Sequence, residues 1–136
     1  MITAIVRYRL PASIDYNDCL AHFSKIAPGF KEPKGLLSKH FIWSEGGIAG
    51  GVYQWKSIED AKAFYSGPWL QGIIERYGEA PEIEFFTVFC ITDNEKGTVR
   101  VLEKPRPVRS AARVKTRKPT AAAVPKPAKT KNRRTA

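Results

Sequence analysis

Several side chains within residues 1–94 of this 136-residue chain have the chemistry of a binding or reaction site. His40 is the candidate general base, because an imidazole exchanges protons near neutral pH. Lys39 and Arg76 are candidate positive charges for an anionic group. The candidates for the wall of a substrate cavity are aromatic side chains with polar tips, namely Trp43, Tyr53, Trp55, Tyr65, Trp69 and Tyr77. These residue types suit proton transfer and anion binding in an aromatic cavity.

Each of these residues also has a purely structural interpretation. His40 can be a hydrogen-bonded histidine of a sheet, and aromatic side chains dominate ordinary protein cores. Arg76 has acidic neighbours in the sequence, which suits a surface ion pair. Lys39 is expected either at a sheet edge or buried with a partner. The second histidine, His22, is expected to face solvent, since it lies about 120° around its helix from Tyr16.

Hydrophobic patterning predicts four strands and two helical regions in the order β-α-β-β-α-β. Cys19, Phe23 and Ile26 recur at helical spacing, while the strands alternate. Two glycines in mid-strand, Gly50 and Gly51, predict a bulge or the close approach of a ring or ligand. The predicted strands are 2–10, 35–44, 48–56 and 82–92. The first predicted helix runs from a cap at Ser13 to about residue 27. The second helical region consists of two segments, 58–66 and 68–77. The order is that of the ferredoxin-like α+β fold, an antiparallel sheet with helices on one face.

Both faces of the predicted sheet carry apolar side chains, although helices cover only one of them. In the last strand, for example, Ile83 and Phe85 share one face, and Phe86 and Val88 share the other. A bare sheet face of this kind would be an unusually large apolar patch. We therefore expect a homodimer in which a second copy of the chain covers the sheet face with two-fold symmetry.

Charge divides the chain into two segments. Residues 1–94 hold all fifteen aromatic residues and have a net charge of about −2, whereas residues 95–136 have a net charge of about +12. The second segment is expected to be a mostly disordered tail, because it has little apolar surface to bury and repels itself. Within it, Val99 and Val101 alternate with polar residues, so residues 95–103 could form a short extra strand instead of joining the disordered tail. Sequence-independent attraction to nucleic acid is expected through this tail only.

The two cysteines, Cys19 and Cys90, both fall on predicted buried faces and outside any metal-binding or redox motif. No metal site is therefore predicted. The N-terminus lacks the basic-then-apolar layout of a signal peptide, and no apolar run is long enough to span a membrane. A cytoplasmic protein without a membrane partner is the resulting expectation.

Residues 1–94 resemble the YdhR-like monooxygenases, which belong to the dimeric α+β barrel superfamily. The matching segments are GLLSKHF at the start of the second strand, GGVYQW on the third, FYSGPW in the second helical region and ERYGEAP before the fourth strand. The resemblance is specific as a combination of these segments, and it does not extend into the basic tail.

The resemblance implies a homodimer with facing sheets, a small cavity between sheet and helices in each protomer, and oxygenase activity without flavin, haem or metal. Such an enzyme needs a substrate that reduces dioxygen once it is deprotonated, such as a phenol or an anthrone. Its site needs a general base, a donor for an oxyanion and a water-poor cavity. We accordingly expect a monooxygenase for a small aromatic or otherwise oxidisable compound, with His40 as base. The alternatives are a non-catalytic dimer that binds a small ligand, and a scaffold whose tail binds nucleic acid.

Overall fold

The main sheet has four antiparallel strands in a computed structural model that describes residues 1–108. The strands are β1 (Ile2–Arg9), β2 (Leu36–Trp43), β3 (Ile48–Trp55) and β4 (Glu82–Thr87), arranged in the order β2-β3-β1-β4. Helix α1 (Tyr16–Ile26) connects β1 to β2, and helices α2 (Ile58–Phe64) and α3 (Pro68–Tyr77) connect β3 to β4. The predicted ferredoxin-like α+β fold is therefore confirmed.

Local sequence signals fix the helix ends. Helix α1 begins at a capping box in which the Asp15 and Asp18 carboxylates each accept the other's backbone N–H, so Asp15 rather than the predicted Ser13 is the cap. A 3₁₀ segment, Ala27–Lys31, then continues the helix. Between α2 and α3 the chain turns at Gly67, whose φ of 61° suits glycine, and Pro68 starts α3 as predicted.

The helices pack on one face of the sheet, which we call the helix face. The buried core there joins residues of β1, β3 and all three helices: Ala4, Val6, Tyr8, Cys19, Phe23, Ala49, Tyr53, Trp55, Ala61, Tyr65 and Tyr77. Trp55 is fully buried, and its Nε1 donates a hydrogen bond of 3.0 Å to the Tyr65 hydroxyl. This core packs the three helices against the helix face of the sheet.

The opposite surface of the sheet, which we call the open face, has no helix from residues 1–108 on it. The strand registers place there Thr3, Ile5, Arg7, Ser38, His40, Ile42, Ile48, Val52, Gln54, Glu82, Glu84 and Phe86. Arg7 bridges the two carboxylates of β4, at 2.6 Å from Glu84 and 3.7 Å from Glu82. A bulge at Leu37 interrupts the alternation of β2, so Leu36 lies opposite Trp55 on the helix side instead of sharing a face with His40.

The predicted strand 82–92 is wrong as a continuous element. Strand β4 ends at Thr87, which pairs with Ile2, and the Val88 N–H then donates a 3.0 Å hydrogen bond to the Met1 carbonyl oxygen. After Val88 and Phe89 the chain forms a separate hairpin of β5 (Cys90–Asp93) and β6 (Thr98–Val101). The extra strand left open for 95–103 is thus present as β6. Cys90 is exposed on this hairpin, in contrast to the predicted burial.

Residues 1–103 form one compact unit. The prediction of a disordered basic tail that attracts nucleic acid falls mainly on residues 109–136, which lie outside the described residues. No helix within residues 1–108 has the length and apolar character needed to cross a bilayer.

Gly50, in the middle of β3, should not tolerate a side chain. A methyl group there would overlap the backbone carbonyl oxygen of Val6 on the neighbouring strand, whose register with β3 is unbroken. We expect Gly50→Ala to destabilise the protein by at least the ~1–3 kcal/mol typical of overpacking, measured by urea unfolding.

Gly72→Ala is the matched control for this substitution. A methyl group at Gly72 meets nothing within 4 Å on α3, so this change should stabilise the helix by up to ~1 kcal/mol. Equal stability of the two variants would contradict the close approach at Gly50.

Candidate active site

A cavity of about 290 Å³ lies between the helix face of the sheet and helices α1 and α3. Its floor comes from the first three strands, and its roof comes from the two helices and the 3₁₀ segment. The lining residues are Tyr8, His22, Phe23, Ile26, Phe30, Lys39, Gly50, Tyr53, Pro68, Trp69, Gly72, Ile73, Arg76 and Tyr77. This set is mostly aromatic and aliphatic with a few polar groups, which is the usual composition of a small-molecule site.

The ammonium group of Lys39 lies among three aromatic rings in this cavity. Its Nζ is 3.5 Å from the ring centroid of Phe30, 3.8 Å from that of Phe41 and 4.5 Å from that of Tyr53. Gly51 makes this arrangement possible, because a Cβ there would lie 2.8 Å from Lys39 Cε and 2.9 Å from Tyr53 Cε1. Of the two explanations predicted for the mid-strand glycines, close approach of a side chain is therefore the one observed at Gly51.

Lys39 has no ionic partner among residues 1–108, where both salt bridges involve Arg7. Burial disfavours the charged amine and lowers the pKa of Lys39 from 10.5 to about 7. The three ring faces are the groups that contact the cation, and they solvate it far less than water does. Burial therefore favours the free base of this amine far more than is usual for a lysine.

Two tyrosines form a phenol pair at the other side of the cavity. The rings of Tyr8 and Tyr77 stack with centroids 4.1 Å apart, and the Tyr8 hydroxyl donates a 3.5 Å hydrogen bond to that of Tyr77. Arg76 Nε donates a 3.3 Å hydrogen bond to the same Tyr77 oxygen. Burial, together with the hydrogen bond to Tyr77, raises the pKa of Tyr8, so its hydroxyl stays protonated. The pair is thus a source of hydrogen bonds for a buried oxyanion.

The mouth of the cavity lies between α1 and α3. A wider cleft there shares His22, Gly72 and Arg76 with the cavity and is also bordered by charged side chains of both signs, Asp18, Lys25 and Glu75. Burial, followed by the positive charges of Arg76, Lys25 and Lys39, lowers the pKa of His22. Both effects favour the neutral imidazole of His22.

Five of the predicted site residues come together in the cavity, namely Lys39, Tyr53, Trp69, Arg76 and Tyr77. Lys39 is half-buried and forms no salt bridge within residues 1–108, a combination that the sequence did not predict. The other aromatic candidates lie elsewhere: Trp55 and Tyr65 belong to the buried core, and Trp43 packs edge-on against Tyr16 in a separate groove between α1 and β2.

His40, the predicted general base, is not in the cavity. It is exposed on the open face, where it pairs with Val52 of β3, while its neighbour Lys39 points to the helix face. The reason is strand alternation, which sends successive side chains to opposite sides of the sheet. The sheet itself therefore separates the His40 imidazole from the cavity.

Sequence reasoning missed His22, Tyr8 and Phe30. The buried stripe of α1 is centred on Cys19 and Phe23, whereas Tyr16, the reference chosen for the prediction, is 55% exposed. His22 lies three residues after Cys19 and four before Ile26, so it shares a face with both and reaches the cavity. Helical spacing counted from Cys19 instead of Tyr16 predicts that His22 faces the sheet and not the solvent.

No protein-family model matches the chain, and no curated protein matches it. Solved structures do share its fold. A protein of unknown function from Nitrosomonas europaea, NE2512, superposes with a TM-score of 0.52 at 13% identity over 79% of this chain and 95% of that one. An antibiotic biosynthesis monooxygenase superposes with a TM-score of 0.51 at 7% identity over 65% of this chain and 98% of that one.

A third similar structure is a point mutant of MhuD with two manganese protoporphyrin IX molecules bound per active site. It superposes with a TM-score of 0.50 at 18% identity over 65% of this chain and 94% of that chain. These likenesses establish that the chain shares its ferredoxin-like α+β fold with these structures. At such identities they establish no activity, because one fold carries many functions.

Proposed function

We propose that the chain is a YdhR-like monooxygenase that oxidises a small phenolic or otherwise oxidisable aromatic compound without flavin, haem or metal. The observation that carries the proposal is the Lys39 amine, which is unpaired among residues 1–108, has a pKa of about 7 and lines an aromatic cavity. A base with a pKa near the working pH transfers protons efficiently. Lys39 thus takes the role that the sequence assigned to His40.

The reaction begins when the free amine of Lys39 accepts an acidic C–H or O–H proton of the substrate. The resulting carbanion or phenolate adds to dioxygen through one-electron transfer and radical recombination, which gives a peroxide anion on the substrate carbon. The Lys39 ammonium returns the proton to form a hydroperoxide, and loss of water leaves a carbonyl. For a methylene substrate the balance is CH₂ plus O₂ to C=O plus H₂O. Tyr77, which accepts from Tyr8 and Arg76 and keeps its own O–H free, supplies a hydrogen bond to the substrate oxyanion, together with the remaining N–H groups of Arg76.

Oxygen uptake with a panel of anthrones and hydroquinones tests this proposal. Lys39→Met should lower the rate by about two to four orders of magnitude, the usual contribution of a general base. Lys62→Met, which removes an exposed lysine of α2, should leave the rate unchanged. Loss of activity in His40→Ala but not in Lys39→Met would overturn the assignment of the base. Tight ligand binding without any turnover would favour the non-catalytic alternative.

We also propose that two copies of the chain form a homodimer through the open face. Ile5, Ile42 and Val52 make its centre apolar, and Phe86 at its edge is 46% exposed in the single chain. Further exposed apolar side chains lie on the β5–β6 hairpin and just before it, with Phe89 at 68%, Val99 at 69% and Val101 at 75% exposed. An apolar surface of this extent is typical of a protein interface. The cavity lies on the other side of the sheet and stays accessible in such a dimer.

A further inference from the structure

A primary amine lines the cavity. Lys39 Nζ lies among the rings of Phe30, Phe41 and Tyr53, and no carboxylate in residues 1–108 forms a salt bridge with it. Trp69 and Ile73 of α3 line the same cavity, so a flat ring bound there would have apolar contacts beside the amine. A lysine desolvated by apolar groups is a nucleophile as well as a base.

We propose that Lys39 Nζ condenses with the carbonyl carbon of an aromatic aldehyde or ketone to form an imine in this cavity. The inference rests on the proposed function for the location of the ligand, but it involves no oxygen chemistry. It assigns the cavity a second class of ligand, carbonyl compounds, which it would hold covalently and reversibly.

The condensation is balanced within the cavity. The lone pair of the neutral amine attacks the carbonyl carbon, and one N–H proton passes to the carbonyl oxygen to give a carbinolamine. The remaining N–H proton and the hydroxyl group then leave as water, and a C=N bond forms. No oxidant or reductant takes part.

The ligand enters between α1 and α3 in this proposal. His22, Gly72 and Arg76 border both the outer cleft and the inner cavity, so they form the rim of the entrance. Gly72 leaves this rim open, because a Cβ at that position meets nothing within 4 Å. A large side chain at residue 72 would therefore project into the entrance without disturbing the packing below it.

Reductive trapping with benzaldehyde and cyanoborohydride at pH 7 under nitrogen tests the inference. Exposed Lys62 lies outside the cavity and is the internal reference for the labelling rate. Peptide mass spectrometry should find the reduced adduct on Lys39 at least about tenfold faster than on Lys62. Gly72→Leu should slow the labelling of Lys39 without changing that of Lys62.

The outcomes separate this inference from the proposed function. Labelling spread over exposed lysines with Lys39 unmodified overturns the inference, and equal labelling of Lys39 in Gly72→Leu overturns the route of entry. An adduct on Lys39 without oxygen uptake in any assay overturns the monooxygenase alone. Oxygen uptake that depends on Lys39, without any adduct, overturns the imine alone. The adduct is mapped in the wild-type chain, so the result does not depend on how a Lys39 variant folds.

Discussion

Replacing Lys39 with methionine should make the protein more stable at pH 7 and remove most of the change in stability between pH 7 and pH 9. Methionine keeps the length and apolar stem of the side chain, and its sulfur makes favourable contacts with rings such as Phe30 and Phe41. It removes the ammonium group, which is half-buried among aromatic rings and forms no salt bridge within residues 1–108. The free energy of unfolding should therefore rise wherever Lys39 is charged in the native state.

The direction of the pH dependence follows from proton linkage. The native pKa of Lys39 is about 7 and that of the unfolded chain is 10.5, so between these values the unfolded state binds one more proton. Stability then increases with pH in this window, by up to roughly 1.4 kcal/mol for each pH unit, and the burial cost is fully present below pH 7. Two other groups also change the stability with pH, but outside this interval. The lowered pKa of His22 has its effect below the unfolded value of 6.5, and the raised pKa of Cys19 has its effect above the unfolded value of 9.0. The interval from pH 7 to 9 therefore isolates Lys39.

Urea unfolding at pH 7, 8 and 9 and at one protein concentration measures this effect. The free energy of unfolding of the wild type should rise with pH. Lys62→Met removes only an exposed lysine, so it should show the same rise. Lys39→Met should start higher at pH 7 and show a nearly flat profile. The same slope in all three proteins would show that Lys39 is not desolvated as the cavity requires.

The sequence was sufficient for the element order, because each signal that defined it is local. Alternation identified β1 and β3, and Gly67 with Pro68 marked the break between α2 and α3. Alternation also placed Lys39 with Phe41 and apart from His40, as the structure does. The end of β4 at Thr87 has no local signal in the sequence, since it depends on the pairing of β4 with β1.

Strand alternation could not place His40 relative to the cavity, for a similar reason. Alternation tells which residues share a face, but both faces of this sheet carry apolar side chains, so it does not tell which face the helices cover. His40 was chosen for the chemistry of its side chain, and its position on the open face follows only from the packing of α1 and α3. The depressed pKa of Lys39 depends on Phe30 and Tyr53, which are distant in sequence.

The aromatic stretch from Phe64 to Tyr77 shows how the site and the core share one segment. Tyr65 and Phe64 pack into the core, with the Tyr65 hydroxyl accepting from Trp55. After the turn at Gly67, Trp69 and Tyr77 line the cavity instead. The break between the two helices therefore lets one stretch serve both purposes, which explains why its aromatic residues could not be sorted by type alone.

Val52→Asp should convert the proposed homodimer into a folded monomer. Val52 lies in the middle of the open face, opposite Ile5 on β1 and His40 on β2. In a two-fold dimer through this face, each interface would bury two new carboxylates without partners, at a cost of several kcal/mol. We expect the dissociation constant to rise by at least about a hundredfold, since each 1.4 kcal/mol corresponds to a factor of ten. In a single chain the carboxylate faces water beside His40, so the fold should be kept.

Sedimentation velocity over a range of micromolar concentrations measures the change, and circular dichroism checks that the variant is folded. Ala63→Asp makes the same change in charge on the exposed side of α2 and should leave the dimer intact. A wild-type chain that sediments as a monomer, or a Val52→Asp variant that stays dimeric, would contradict the proposed interface. Because Lys39 and the cavity lie on the helix face, benzaldehyde labelling of Lys39 should persist in the Val52→Asp monomer. Retained labelling would show that the site is complete within one protomer, and that the dimer serves to cover the open face.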